Sequence, residues 1–509
     1  MHSMTRQTAN IIIYRQRPEL KVFLVTRSSE MNFLGGYLAF AGGKVEPGDE
    51  TIPLVEELGT DKAETLGCAV RELFEETGIL ATCGGAPAQE ELKRLRLEML
   101  ADGDAGEFFS RLRTSGANLE PGTFVEAVRL VTPRFSQRRF SSTFFLFETD
   151  KEPEILPGEL AGGGWWTPAA AIEAWHRGEL LLAPPVIVIL RQLAGGLDSS
   201  TLESMRTSPS EFEGSGLAIP WGPGIELLPF HCPPLPPTLP SSTFLVGSRR
   251  FIIIDPSPTG EKEQAHLLAA IENRLAGGDQ PEAIVLSHHH ADHVGAVDAV
   301  QERWGLPCWG HRRTGELLER SFDRELDEGD LIELGESPAG ESGWSLRCLF
   351  TPGHAEGHLA FFDERHQALL AGDLLSTLVS MYVGSPGGHL ESYFRSLEKI
   401  RRLDINLLYP SHGMPTAEAR SLINKTIQHR KKRIEQVRDK LAEGLGEVRK
   451  LSREIYHDEA DSRLRPLYER TTRAALEYLV EQGRARELAE DRYEITPGPQ
   501  LEPPPGSGS

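Results

Sequence analysis

No apolar run in this chain of 509 residues approaches the length a helix needs to span a bilayer, and no membrane partner is expected. The opening residues Met1–Arg6 lack the layout of a signal peptide. Cysteine is scarce. Cys68, Cys83, Cys232, Cys308 and Cys348 are scattered without metal-finger spacing. An odd, sparse set gives no disulfide framework and suits a reducing compartment, so a cytoplasmic protein is expected. Positive charge is in deficit, with 54 Lys and Arg against 75 Asp and Glu and a net charge of −21. That disfavours indiscriminate binding of nucleic acid over the whole surface, while leaving room for a local basic groove. No internal repeat is found.

What is present is a soluble-type composition, 39% hydrophobic and 25% charged, in a chain too long for one ordinary core. Two to four domains are expected. Ala9–Tyr14 and Lys21–Val25 read as a hairpin turned at Arg17-Pro18-Glu19. Mixed strands and helices continue to about residue 196. Residues 197–216, rich in Ser, Thr, Glu and Gly, read as a linker. The tract Cys232–Pro240 reads as an ordered loop leading into a strand at Ser242–Val246. Strand and helix patterns then alternate to about 415. Residues 416–496 turn helical and end in a short hairpin, and the Pro/Gly/Ser-rich tail 497–509 is expected to be disordered.

The densest chemistry lies at Ser287-His288-His289-His290-Ala291-Asp292-His293, an H-x-H-x-D-H run placed just after the apolar segment Ala283–Leu286. Imidazole and carboxylate are ligands that Zn²⁺ and its neighbours favour, and a strand end can hold them rigidly. Three further ligand-type residues follow beside turn residues: His354 after Thr351-Pro352-Gly353, Asp373 after Ala371-Gly372, and His412 before Gly413. In order and spacing these residues resemble the metallo-β-lactamase superfamily over roughly 225–415. The resemblance implies that His288, His290 and His354 hold one metal, that Asp292, His293 and His412 hold a second, and that Asp373 bridges them. Two Zn²⁺, or Mn or Fe, would activate a water there, with Asp292 in the catalytic set. A bridging carboxylate rather than a cysteine is similar to the thioesterase, glyoxalase and nuclease branches. Asp255, ending the strand Phe251–Ile254, would orient a ligand without binding metal. His311, His366 and His389 have no such context and read as ordinary surface or loop histidines.

A second signature is Arg71-Glu72-Leu73-Phe74-Glu75-Glu76-Thr77-Gly78-Ile79. On a helix, Glu72, Glu75 and Glu76 share a face beside Arg71, and like charges so placed call for a cation. With the upstream loop Gly42-Gly43-Lys44-Val45-Glu46-Pro47-Gly48-Asp49, the segment resembles the Nudix box. That implies a Mg²⁺ or Mn²⁺ site built on Glu72, Glu75 and Glu76, with Arg71, Glu75 and Glu76 catalytic. Gly42 and Gly43 would lie against the substrate, a nucleotide or coenzyme A-type diphosphate. Glu50 to Val70 is roughly three times the usual interval and is expected to form an excursion that leaves the loop–helix geometry intact, and Asp49 stands where Glu is usual. Similar split boxes occur in the branch resembling peroxisomal coenzyme A diphosphatase. Phe40-Ala41-Gly42-Gly43, Val131-Thr132-Pro133, Arg139–Phe145 and Trp165-Trp166-Thr167-Pro168 are also similar to it. The coenzyme A motif is followed only loosely, with Asn32 where Arg is expected and Ala41 where Pro is expected.

The C-terminal pattern of three helices and a hairpin resembles the winged-helix-like module of β-lactamase-like RNA endonucleases. The run Arg430-Lys431-Lys432-Arg433 is its one local cue for phosphate contacts. The expected architecture is therefore α/β and α+β, multidomain. A Nudix α/β/α fold at 1–196 precedes a metallo-β-lactamase αββα sandwich at 217–415 and a winged-helix-like module at 416–496. The expected function is that of a two-site metallohydrolase. The central site acts on RNA or, as the alternative, on a thioester or related small molecule in the manner of glyoxalase II. The N-terminal site hydrolyses a diphosphate or has become a binding module.

Overall fold

The computed structural model describes all residues except 1–4, 32, 33, 55–58, 86, 102, 134, 135, 137, 138, 211–216, 233–239, 458–461, 490 and 497–509. Most of the Pro-rich tract and the whole C-terminal tail lie outside the described residues.

The strand Arg6–Arg15 is the centre of a seven-stranded sheet. It turns at Pro18 into Lys21–Arg27, pairs antiparallel with Ala41–Lys44, and runs parallel to Phe140–Glu148. Alternation along it sorts the side chains between two cores. Ala9, Ile11 and Ile13 pack under the helix Thr60–Thr77. Ile12 faces the helices Pro168–His176 and Pro184–Leu193 on the other side.

Two expectations change here. The long interval between Asp49 and Arg71 is not one loop, because the glutamate-bearing helix begins at Thr60 and absorbs half of it. The excursion is correspondingly shorter, and residues 55–58 of it lie outside the described residues. The segment expected to link domains carries the helix Ser199–Thr207, capped by Asp198 and laid against the strand Val125–Val131. Met205 is fully buried there, and Val131 N–H donates to Ser210 O at 2.7 Å. Leu197 and Leu202 pack beside Met205 against the same core.

The central region is a pair of facing sheets. The first runs, in spatial order, Ile219–Gly222, Ile225–His231, Pro240–Gly247, Arg250–Ile254, Gln280–Val285, Cys308–Gly310 and Arg324–Glu325. The second runs Leu331–Gly335, Trp344–Phe350, Leu359–Asp363, Ala368–Ser376 and Leu407–His412. Cys68, Cys232, Cys308 and Cys348 are buried free thiols.

The N-terminal and central regions share one hydrophobic cluster. Trp175, Ile187 and Leu190 from the former join Trp221, Phe244, Ile252 and Tyr409 from the latter. His366 lies in this seam, 8% exposed, bonded to Asp363 Oδ2 at 2.6 Å and to His176 O at 3.2 Å. It is therefore a buried connector and not a surface histidine. His311 and His389 cap the helices Arg312–Leu318 and Leu390–Arg401.

The C-terminal region has the helices Ala419–Ala442, Val448–Ile455 and Arg465–Glu481 and the hairpin Ala485–Ala489/Arg492–Ile495. The basic run is only half exposed. Arg430 is 6% exposed beneath its helix, with its guanidinium near the Tyr393 ring. Arg433 donates to Ile455 O and stands over Tyr456. Lys431 and Lys432 alone of the four project freely. Among the described residues no helix is long and apolar enough to cross a membrane.

Two candidate metal centres

The candidate ligands of the central region lie on the ends of buried strands or on the loops and short helix that follow them. Gln280–Val285 runs out through Leu286 into Ser287 and the histidine loop. His354 follows the strand Trp344–Phe350, Asp373 lies late in Ala368–Ser376, and His412 closes Leu407–His412. Two clusters result. His288, His290, His354 and Asp373 present ligand atoms within 4.8 Å of one another, and so do Asp292, His293 and His412. Asp373 gives one oxygen to each. Its Oδ2 is 3.3 Å from His354 Nε2, and its Oδ1 is 3.4 Å from His293 Nε2 and 3.2 Å from His412 Nε2. The structure thus brings all seven of these residues together, in the two groups just given.

The donor set fits divalent cations. His288 Nε2 and His354 Nε2 lie 3.0 and 2.9 Å from His290 Nδ1, so three imidazole nitrogens converge on one point. His293 Nε2 and Asp373 Oδ1 are buried and have no hydrogen-bond partner among the described residues. Groups left this way are costly unless a cation takes their lone pairs. The N/O set suits Zn, Mn or Fe.

The outward ring nitrogens are pinned, which aims the inward ones. Asp255 Oδ2 meets His293 Nδ1 at 2.9 Å and accepts from Ser287 Oγ at 2.5 Å, and Ser287 Oγ lies 2.9 Å from His288 Nδ1. One carboxylate thus orients a histidine of each cluster. His354 Nδ1 is held by Tyr382 O at 2.6 Å and His412 Nδ1 by Pro240 O at 3.1 Å.

Burial pushes His288 well below the ordinary histidine range, helped by the charges of His293 and His290, and takes His290 to about 2. Burial also works against protonated His293, but the carboxylates of Asp373, Asp292 and Asp255 outweigh it and hold it high. Burial would raise Asp373, yet His412 and His293 keep it well below the carboxylate range.

Sequence analysis does not single out His358. It is buried, meets Thr351 Oγ1 at 2.8 Å, and accepts Asp373 N–H at 3.0 Å. Burial and the charge of His354 take it down to about 3, so it stays neutral and can accept that bond. The cue was a histidine directly before the apolar strand Leu359–Asp363, the converse of the strand-then-ligand placement of Asp373.

The N-terminal centre is built on the last turns of Thr60–Thr77. Arg71, 3% exposed, organises it. Its Nε and Nη2 donate to Asp49 Oδ1 and Oδ2 at 2.9 and 3.1 Å, and its Nη1 reaches Glu72 at 2.9 Å and Glu75 at 3.2 Å. Asp49, wholly buried, also accepts Glu46 N–H at 2.8 Å. It anchors the loop to the helix and is spent on that bond. Gly42 N–H donates to Glu76 Oε2 at 2.9 Å. A Cβ on Gly43 would fall 2.1 Å from Glu72 Oε1, so only glycine lets that carboxylate come against the strand.

Burial raises Glu72 to about 8, against the pull of Arg71 and with repulsion from Glu75. Burial and the Glu72 carboxylate lift Glu76 well above its usual range. Carboxylates so enclosed ionise together only with added positive charge, and a hard cation such as Mg²⁺ fits all-oxygen donors. Glu72, Glu75 and Glu76 do not form a cluster as tight as the two in the central region.

A family model described as the metallo-beta-lactamase superfamily matches residues 235–412, and one described as the NUDIX domain matches residues 4–95. The probable metallo-hydrolase YqjP of Bacillus subtilis is 28% identical over 251 residues, covering 39% of this chain and 75% of that protein. A hydroxyacylglutathione hydrolase of a Chelativorans species is 29% identical over 216 residues, covering 40% of this chain and 79% of that one. The crystal structure of a NUDIX hydrolase from Alicyclobacillus acidocaldarius aligns with 25% identity and a TM-score of 0.35, covering 41% of this chain and all of that one (100%).

Proposed function

From a chain that joins a NUDIX domain to a metallo-beta-lactamase superfamily domain, and is a metal-dependent hydrolase, we infer that two separate hydrolytic sites work in one molecule. The proposed domain limits are 1–196, extended by the docked helix Ser199–Thr207, then 217–415 and a winged-helix-like 416–496. For the central site the favoured reaction is hydrolysis of a small acylated thiol.

The observation that carries the central reading is Asp373, with one oxygen turned to each histidine cluster. Two divalent cations held by His288, His290 and His354 and by Asp292, His293 and His412 would supply Lewis acidity and an activated water. The chain's own groups do the rest. Asp373 sets the separation of the clusters, and Asp255 fixes the ring orientations of His293 and, through Ser287, His288. Asp292, which accepts from Ser241 Oγ at 3.0 Å and is the most exposed of these carboxylates, is placed to take a proton from the attacking water. Similarity to a hydroxyacylglutathione hydrolase supports the acylated-thiol class. RNA cleavage is the second reading, favoured by the exposed Lys431 and Lys432 and by Arg401, Arg402 and Arg420, which border one surface depression. It loses support from Arg430 and Arg433, which the fold uses internally.

For the N-terminal site the proposal is Mg²⁺- or Mn²⁺-dependent hydrolysis of a nucleoside diphosphate derivative, coenzyme A among the candidates. Glu72, Glu75 and Glu76 would hold the cation while Arg71 orients Glu72 and Glu75. Purified protein offered acyl-thioesters, short RNA, coenzyme A and nucleotide sugars tests all three assignments. Glu76→Gln should abolish diphosphate hydrolysis and spare the central reaction; simultaneous loss of both contradicts two independent sites. No RNA binding by the parent protein at low salt eliminates the nuclease reading, and inactivity on every thioester eliminates the other.

A further inference from the structure

Between the N-terminal sheet and the central domain lies a cavity of about 190 Å³. Asn10, Phe40 and Phe144 line it from the N-terminal side, Trp221 and Met414 from the central domain. It borders the glutamate centre. Asn10 is paired across the strands with Gly42, whose N–H holds Glu76. Arg27 lines the same cavity, and its charge acts on Glu76.

Arg27 is the telling group. Among the described residues its buried Nε has no hydrogen-bond partner and no carboxylate lies within ion-pair distance. Arg27 is half-buried, and a guanidinium edge shut off from water without an acceptor is costly; a phosphate offers the matching bidentate acceptor. Beyond it the walls are aromatic. Phe40 and Phe144 meet edge to face with centroids 6.2 Å apart, and Trp221 contributes a third ring. Such walls suit the flat, partly apolar face of a nucleobase.

We propose that this cavity seats the base of a nucleoside diphosphate derivative, with Arg27 on a phosphate, and that Trp221 and Met414 make the central domain part of the N-terminal substrate site. The proposal rests on the diphosphatase reading of Glu72, Glu75 and Glu76. It adds that the site is complete only in the joined chain. The fusion then has a chemical reason, since one wall of the base pocket, Ile219, Trp221 and Met414, belongs to the other domain.

Calorimetric titration of the full chain with ADP and with inorganic pyrophosphate, each with Mg²⁺, tests it without requiring turnover. ADP should bind at least about tenfold more tightly than pyrophosphate. Met414→Trp, which fills the cavity, should erase that difference and leave pyrophosphate unchanged. Arg27→Met should weaken both ligands by about tenfold. Equal affinity of the parent protein for ADP and pyrophosphate overturns the base pocket while the diphosphatase reading stands. Binding of neither overturns both. As a check that does not depend on a variant folding, 8-azido-ADP should photolabel a peptide containing Trp221 or Met414. Labelling confined to peptides before residue 200 refutes the central domain's share.

Discussion

Replacing Asp49 with Asn tests whether the stretched box is held together as described. Asp49 and Arg71 form a buried two-bond ion pair, with side chains 0% and 3% exposed, in which Arg71 also organises Glu72 and Glu75. Asn has nearly the same shape but carries no charge, so a guanidinium is left enclosed without its main counter-ion. Removing one partner of such a pair costs about 3–5 kcal/mol. At about 2 °C per kcal/mol for a large domain, the melting temperature should fall by about 6–10 °C. The assay is calorimetric melting of the full chain in excess Mg²⁺, so that the metal centre is saturated in both proteins. Leucine at 49 combined with methionine at 71 should recover more than half of the loss, because the uncompensated charge is then gone. A melting temperature for Asp49→Asn within 2 °C of the parent, or a double variant that simply adds the two losses, would refute the reasoning.

Asp373→Asn should lower central-domain turnover by orders of magnitude and reduce bound metal by elemental analysis; undiminished turnover excludes the bridging role. Glu72 binds its proton more tightly folded, at about 8, than at its ordinary 4.5, so its contribution to stability is present at low pH and lost as pH rises through about 8. Metal-free protein in chelator should therefore melt lower at pH 8 than at pH 6, and Mg²⁺ should raise the melting temperature more at pH 8; a Mg²⁺ effect independent of pH speaks against Glu72 as a ligand. Arg470 donates to Pro386 O at 2.5 Å and stands over the Tyr382 ring, in the loop whose Tyr382 carbonyl holds His354. Arg470→Ala should weaken central metal affinity by about tenfold, measured by competition with a chelator, while affinity equal to the parent's would mean the loop holds His354 unaided.

The ligands were legible because each lies beside a strand end or a turn, and order along the chain then fixed which elements must converge. His288, Asp373 and His412 needed no knowledge of packing. The parts that were not legible depend on three-dimensional neighbours. His358 acts through the Asp373 amide, a backbone contact between adjacent strands that leaves no spacing in the sequence. His366 is polar and follows a turn, and only the presence of the helix ending at His176 makes it a buried connector. The helix Ser199–Thr207 has little apolar content apart from Leu202 and Met205, so composition spoke for a linker while two docked side chains decided otherwise. In the basic run, a period of three separates Arg430 from Arg433, but a charge pattern does not reveal that Tyr393 and Tyr456 wait beneath them.

The hydrophobic cluster that runs from Trp175 to Tyr409 has a consequence for inheritance. Domains joined by a flexible tether can lose stability one at a time, and selection can relax on one while keeping the other. Here Ile187 and Phe244 belong to one interior, so a cavity opened on either side is paid for by both. A substitution such as Ile187→Ala, far from both metal centres, should lower the cellular amount of the whole chain and with it both reactions in equal proportion. The two pockets are free to diverge, yet they are tied to a common dosage.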